Sequence, residues 1–290
     1  MPCPYILAVL NQPEQQTAMA EPVIKTRVDG RVGVITFNRP DVLNAFNGAL
    51  VEQVNQAMAD FTRDESVLAI VVHGEGRAFS AGFDLKESAL RNTTGTDQWR
   101  RLLEIDFDFI MQFWDCPKPT VAAVHGFCLA GAFELALCCD ITVAAAGTRF
   151  GEPEARFGSG IICMLLPYAT SPKFAKELLL TGNDRVDAER AHLMGIVNHV
   201  VPEGQHLDRA MELARDLCAA APLSVQLTKR AINRSFDMMG LRQALLAALD
   251  VDVIIESTGG AERQEFNRIR REQGLKAALA WRDAKFAGKA

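Results

Sequence analysis

Residues 118–145 read KPTVAAVHGFCLAGAFELALCCDITVAA, and the way this stretch divides decides the fold. TVAAV (120–124) and ITVAA (141–145) are short apolar β-branched runs, each long enough for a strand. Gly126 turns the chain after the first run. From Gly131 onward GAFELALC has neither alternation nor a breaker, so it reads as a helix opening at that glycine. The helix carries one charge, Glu134, among Ala, Phe, Leu and Cys. A lone carboxylate in such surroundings is either a tolerated edge residue or a group kept for chemistry.

Working toward the N-terminus, LAIVVHGEG (68–76) is a buried strand running into a glycine loop. Before it lies VIKTRVDGRVGVITFNRP, two alternating runs around Asp29-Gly30, a dipeptide favoured in type I′ hairpin turns. Residues 47–61 form an amphipathic helix, 91–98 a polar insert, and 99–113 a further helix. Toward the C-terminus RFGEPEARFGSG is loop, and 188–202 is a helix stopped by Gly195, then a strand stopped by Pro202. From about Asp208 the period is helical throughout, in five segments. The domain organisation expected is a disordered leader over 1–20, an α/β core over 21–205 and a helical region over 206–290. Met19 is a second candidate start.

Composition excludes several classes. The formal net charge is −5 and no dense basic face is visible, which speaks against nucleic acid. No apolar run approaches the ~18 residues that span a bilayer. YILAVL near the N-terminus lacks the basic residues of a signal peptide. Cys3, Cys116, Cys128, Cys138, Cys139, Cys163 and Cys218 show no C-x-x-C and no zinc spacing; they read as reduced core thiols in a cytoplasmic protein.

The familiar motifs fail on single residues. GEGRAF (74–79) needs glycine at Phe79 to be a dinucleotide loop, and Ser80 needs glycine at Ala78 to sit on a nucleophile elbow. His73 and His125 each close a strand before a glycine or beside one, as structural histidines do, and no metal-ligand spacing appears. What remains is glycine loops and carboxylates. FSAGFDLKE (79–87) places Gly82 before Phe83 in a strand-to-helix loop. Gly131 opens a helix, so its N–H lacks an intrahelical acceptor and lies at the positive end of the dipole. Two such N–H groups converging make an oxyanion hole, and losing one donor from such a hole costs ~3–4 kcal/mol of transition-state stabilisation. Glu134 lies one turn further on. Glu152 and Glu154 flank Pro153; they are either plain loop charges or, with Glu134, a pair able to divide acid and base roles.

Together, GVITFNRPDVLNAFN (33–47), GRAFSAGFDLKE (76–87), KPTVAAVHGFCLAGAFELALCCD (118–140), FGEPEARFG (150–158) and LLLTGNDRVDAERAHLMGIVNHVVP (178–202) resemble the crotonase (enoyl-CoA hydratase/isomerase) superfamily in order and spacing. The resemblance covers about residues 23–286. It implies a crotonase-like spiral of ββα units with a C-terminal helical trimerisation region, assembled as a homotrimer or a hexamer. It also implies an acyl-CoA thioester substrate, a place in fatty acid metabolism, and no cofactor or metal beyond the coenzyme A carried by the substrate. On this template the oxyanion N–H groups are those of Phe83 and Gly131. Glu134 helps activate a water and Glu154 delivers the proton to the α-carbon. Asp41, Val42 and Leu43, with Phe83, Asp84, Leu85 and Lys86, line the nucleotide arm, and Lys86, Arg282 or Lys285 meets its phosphates; read from the residues alone, Arg282 and Lys285 belong to a solvated helix face.

The sequence departs from the pattern at three places. Phe83 is bulky where a small residue is usual, and Ala132 stands for a common glycine. Ile161, Ile162, Cys163 and Met164 fill a turn that is ordinarily glycine-rich. The expectation is therefore an enoyl-CoA hydratase adding water across the 2,3 double bond, with a reshaped acyl pocket. Alternatives on the same fold are an enoyl-CoA isomerase, an aryl hydratase-lyase or an acyl-CoA hydrolase; a remote one is a non-catalytic binding oligomer.

Overall fold

The computed structural model describes residues 22–91 and 93–286; the expected leader lies outside them. The chain begins with an antiparallel hairpin, β1 (Ile24–Asp29) and β2 (Val32–Phe37). Asp29 pairs with Val32, so the two-residue turn is Gly30-Arg31. Only Gly30 has positive φ (+63°), the sign pattern of a type II′ turn rather than the expected I′.

α1 (Gly48–Arg63) is capped by Asn47, whose side chain accepts from Leu50 N at 3.0 Å. β3 (Ala69–Gly74), α2 (Leu85–Leu90) and α3 (Gly95–Asp115) follow. α3 starts at Gly95 rather than near 99 because its first turn, 95–98, is exposed and carries no apolar period. The deciding stretch folds as β4 (Thr120–Val124), β5 (Phe127–Leu129), α4 (Gly131–Cys138) and β6 (Ile141–Ala145). The segment read as loop holds β7 (Arg149–Gly151) and a 3₁₀ turn at Glu154–Arg156. Next come α5 (Leu166–Ala169), α6 (Pro172–Thr181), β8 (Val186–Asp187), α7 (Ala188–Leu193) and β9 (His199–Val201). The C-terminal helices are α8 (His206–Ala219), α9 (Pro222–Met238), α10 (Leu241–Thr258), α11 (Ala261–Gln273) and α12 (Leu275–Ala284).

The main sheet runs β1-β2-β3-β4-β6-β9, parallel from β2 onward. Its central strands read as unbroken apolar runs because helices cover both faces. Val34, Val71, Val121 and Val143 pack on Ala210, Met211 and Ala214 of α8. Ile35, Ile70, Val72 and Ala122 face the opposite way, into the core built with α1, α3 and α4. A small second sheet, β5-β7-β8, brings the end of β5 beside Gly151. α10 lies along α3, and α11 pairs with α12 over Phe157. The described cysteines are all free thiols, and all but Cys218 are buried. Among the described residues, no helix is long and apolar enough to cross a membrane.

Candidate active site

Two backbone segments converge at the C-terminal ends of β3 and β4. Ser80 N donates to Phe127 O at 3.0 Å and Leu129 N to Ser80 O at 3.2 Å, so residues 79–83 run beside β5. Gly82 (φ +84°) makes the approach possible: a methyl group on it would sit 2.7 Å from Ala130 Cβ and 3.2 Å from Gly131 N. Ala130 itself has φ +57°, a conformation that costs a non-glycine residue ~1–3 kcal/mol and recurs at functional sites. It directs the start of α4, and neither Phe83 N nor Gly131 N has an acceptor among the described residues. The Phe83 ring packs edge-on to Phe46 and Phe109 and lies against Gly131, so its bulk braces the loop.

Glu134 is 2% exposed. Its Oε1 accepts from Cys163 N at 3.0 Å, while Oε2 is buried without a partner. The helix therefore holds the carboxylate against the isoleucine-rich loop. Glu152 is equally buried, and Glu154, half-buried as a residue, has its Oε2 buried; neither Oε2 has a partner. Both follow β7, whose Gly151 O accepts from Ala130 N at 2.8 Å, so β7 places them next to the α4 start.

Burial pushes all three carboxyls up. Glu134 lies well above its ordinary range, despite the Cys163 N–H that favours its charged form. Glu152 is also well above it, by burial and then by the neighbouring Glu154 and Glu134. Glu154 reaches about 7: burial raises it, while a hydrogen bond from Glu152 and the charge of Arg282 hold it down. No group of three or more His, Cys, Asp or Glu among the described residues is arranged to hold a metal ion.

The profile of the enoyl-CoA hydratase/isomerase family matches residues 27–278. The chain belongs to that family, within the crotonase superfamily. It is 36% identical over 221 residues to a probable mitochondrial enoyl-CoA hydratase of Dictyostelium discoideum, covering 73% of this chain and 76% of that one. It is 34% identical over 220 residues to the short-chain-enoyl-CoA hydratase of Clostridium acetobutylicum, covering 71% and 79%. The crystal structure of an enoyl-CoA hydratase/isomerase from Xanthobacter autotrophicus Py2 superposes with a TM-score of 0.90 at 47% identity, over 92% of this chain and 99% of that one. The fold is crotonase-like, and the protein is an enoyl-CoA hydratase or a related enzyme of the family.

The positions that the resemblance assigns to the nucleotide arm also come together. Asp41 and Val42 lie in a 3₁₀ turn ended by Leu43 in the left-handed region. Leu43 O accepts from Ala81 N at 3.0 Å, and Arg39 bridges to Asp84 at 3.0 Å, so 41–43 and 83–86 form one rim. Asp84 spends its side chain on Arg39 and on capping α2, leaving backbone for a ligand. Leu85 follows it in α2, and its carbonyl accepts from Arg270. Lys86 is exposed. Arg282, expected on a solvated face, is instead mostly buried and held by Asp184 at 3.6 Å and Asp283 at 2.8 Å. Lys285 sits over the Trp281 ring.

Three residues set aside as catalysts have structural partners. Ser80 Oγ donates to Asn44 O, His73 Nε2 meets Thr36 Oγ1 at 2.8 Å, and His125 Nε2 meets Gly76 O at 2.9 Å. Sequence reasoning passed over Asp252 and Glu256. Both lie on the buried stripe of α10, with Leu241, Leu245, Leu249 and Val253. Two acids in register with an apolar helical stripe were the available signal.

Proposed function

We propose that the protein is an enoyl-CoA hydratase that adds water across the 2,3 double bond of an enoyl-CoA thioester. The observation that carries this reading is one arrangement: Glu134 and Glu154 each keep a buried Oε2 without a partner, near two backbone N–H groups without acceptors. The thioester oxygen binds the Phe83 and Gly131 N–H groups, which stabilise the negative charge that develops there as water attacks C3. One carboxylate takes a proton from the water, one carboxyl gives a proton to C2, and the pair ends with the same count of protons. The addition is syn because both groups act from one face. Following the resemblance, Glu134 activates the water and Glu154 protonates C2. Burial raises both carboxyls, which favours a pair that holds one proton between its two members near neutral pH. The chemistry asks for no cofactor beyond the coenzyme A of the substrate.

The test is the ultraviolet absorbance of the conjugated thioester when the protein meets crotonyl-CoA, a longer alkyl enoyl-CoA and an aryl one. Loss of absorbance with a 3-hydroxyacyl-CoA product supports hydration. A second reading keeps the site and changes the reaction to isomerisation, hydratase-lyase cleavage or thioester hydrolysis. It is favoured by the loop over Glu134, where Ile161, Ile162 and Met164 flank the Cys163 N–H that holds the carboxylate. Product analysis separates the two.

The same reading includes assembly as a trimer or hexamer. α9 and α10 expose Leu223, Leu227, Ile232, Met238, Leu246, Val251 and Ile254, far more apolar surface than a lone chain keeps in water. Sedimentation of the native chain checks this. We place the enzyme in the cytoplasm, where unpaired neighbours such as Cys138 and Cys163 (Sγ atoms 4.0 Å apart) stay reduced.

A further inference from the structure

Beyond the glutamates, one more carboxyl faces the loop over the reacting carbons. Asp252 of α10 is 2% exposed, and both of its carboxyl oxygens are buried without a partner. Gly160 makes room for it: a methyl group there would collide with Asp252 Oδ1. The loop that Asp252 touches is the one whose Cys163 N–H holds Glu134.

Its neighbours show what a structural acid looks like in this protein. Glu256, one turn along α10, accepts from Ser159 Oγ with one oxygen and from Arg263 Nη2 at 2.6 Å with the other. Asp140 is likewise taken, by Lys229 and Thr120. Asp252 has no such role, and a buried carboxyl without partners is a standing cost to the fold. Arg263 adds a second unused group, because its Nη1 is buried and has no acceptor. A donor and a carboxyl left open among the described residues, close enough to act on one another, call for an occupant that accepts hydrogen bonds.

Location ties this pair to the acyl group. Asp252 is close enough to Glu134 to help raise its pKa, and Glu154 close enough to Asp252 to help raise that of Asp252. Asp106 of α3 is a further buried acid near enough to act on Asp252. At neutral pH Asp252 keeps its proton, its pKa raised to about 8 chiefly by burial, so it can donate. The occupant is uncharged. A carboxylate would meet Glu134, Glu152, Glu154 and Glu256, and an ammonium would offer Arg263 Nη1 no acceptor.

Resting on the hydratase reading above, we propose that Asp252 and Arg263 Nη1 form a polar subsite for a hydroxyl or keto oxygen on the acyl chain, so that the substrate class is an oxygenated enoyl-CoA rather than a plain alkyl one. The occupant's oxygen accepts from both groups.

The experiment has two readouts on the wild-type protein, Asp252→Leu and Asp252→Asn. The first is Kd, by calorimetry, for hexanoyl-CoA and its 4-, 5- and 6-hydroxy and 5-oxo derivatives, none of which turns over by hydration. The second is kcat/KM for the corresponding hex-2-enoyl-CoAs. In the wild type, at least one oxygenated member is favoured about tenfold or more in both readouts, as expected where a site is built to hydrogen-bond an oxygen. Asp252→Leu brings that ratio to within about twofold of unity, and Asp252→Asn, which keeps the shape and a donor, retains part of it. A wild type that binds hexanoyl-CoA as well as every oxygenated analogue overturns the subsite, as does a preference that survives Asp252→Leu. If the Kd preference is present but no enoyl-CoA is consumed, the subsite stands and the hydratase reading is what fails.

Discussion

Replacing Asp252 by asparagine changes stability by an amount that grows with pH, and the slope follows from the burial of one carboxyl. The Asp252 pKa is raised from 3.8 to about 8, first by burial and then by the charges of Glu256 and Glu154. Between those two values the unfolded chain has released a proton that the folded chain keeps. Folding is therefore penalised as pH rises, by about 1.4 kcal/mol per pH unit, and the penalty levels off above the folded pKa. Relative to a side chain that does not titrate, the penalty is ~2 kcal/mol at pH 5 and ~4 kcal/mol at pH 7. Asparagine has the same shape and no proton to lose, so whatever constant offset its amide introduces does not vary with pH. Urea unfolding of both proteins at pH 5, 6 and 7, at one protein concentration, should show the variant gaining ~2–3 kcal/mol on the wild type across that range. Parallel stability curves would refute the reasoning: Asp252 would then ionise as it does in water, and the case for an unpartnered carboxyl at the acyl pocket would go with it.

Other perturbations probe the rest of the site. In Gly131→Ala the new methyl group lies 2.5 Å from Phe83 Cε2 and pushes the two oxyanion N–H groups apart, so kcat should fall ~10²–10³-fold in steady-state assays. The pair needs one carboxyl and one carboxylate, so kcat/KM should drop tenfold per unit as pH falls below about 7, where Glu154 takes up its proton, and drop again at higher pH as Glu134 ionises. A flat profile from pH 5 to 9 would contradict this. Gly160→Ala should destabilise the protein by ~1–3 kcal/mol through its collision with Asp252, and Asp252→Ala in the same chain should recover most of that in a double-mutant cycle.

The strands β2, β3, β4 and β6 were legible because burial on both faces leaves an unbroken apolar run that few other structures need. Glu134 was legible for a related reason: a charge in such a run has few structural uses. The small sheet escaped because β5 and β7 are three residues each and β8 two, too short for a period to register. The hairpin turn was placed one residue early because composition marks the glycine but not which central position it fills. Asp252 and Glu256 were hidden by the neighbouring Asp250 and by the charged residues typical of a helix surface. The stripe of Leu241, Leu245, Leu249 and Val253 carries the register that turns 252 and 256 inward, and it leaves 250 free to meet Arg100. Arg282 was misjudged because a basic residue in a terminal helix is ordinarily solvated, and nothing in its own segment indicates that Asp184, far away in sequence, will bury it.

The central claim is that Glu134 and Glu154 act as a one-proton pair on the substrate beside the Phe83 and Gly131 N–H groups. The most direct measurement compares crotonyl-CoA hydration by the wild type, Glu134→Gln and Glu154→Gln, together with deuterium exchange at C2 of the 3-hydroxybutyryl-CoA product in heavy water. The account predicts that each variant loses ~10²–10⁴-fold in kcat while thioester affinity stays near that of the wild type, and that Glu154→Gln removes C2 exchange. A Glu154→Gln enzyme with near-wild-type kcat, or one that still exchanges the C2 proton at the wild-type rate, would contradict it.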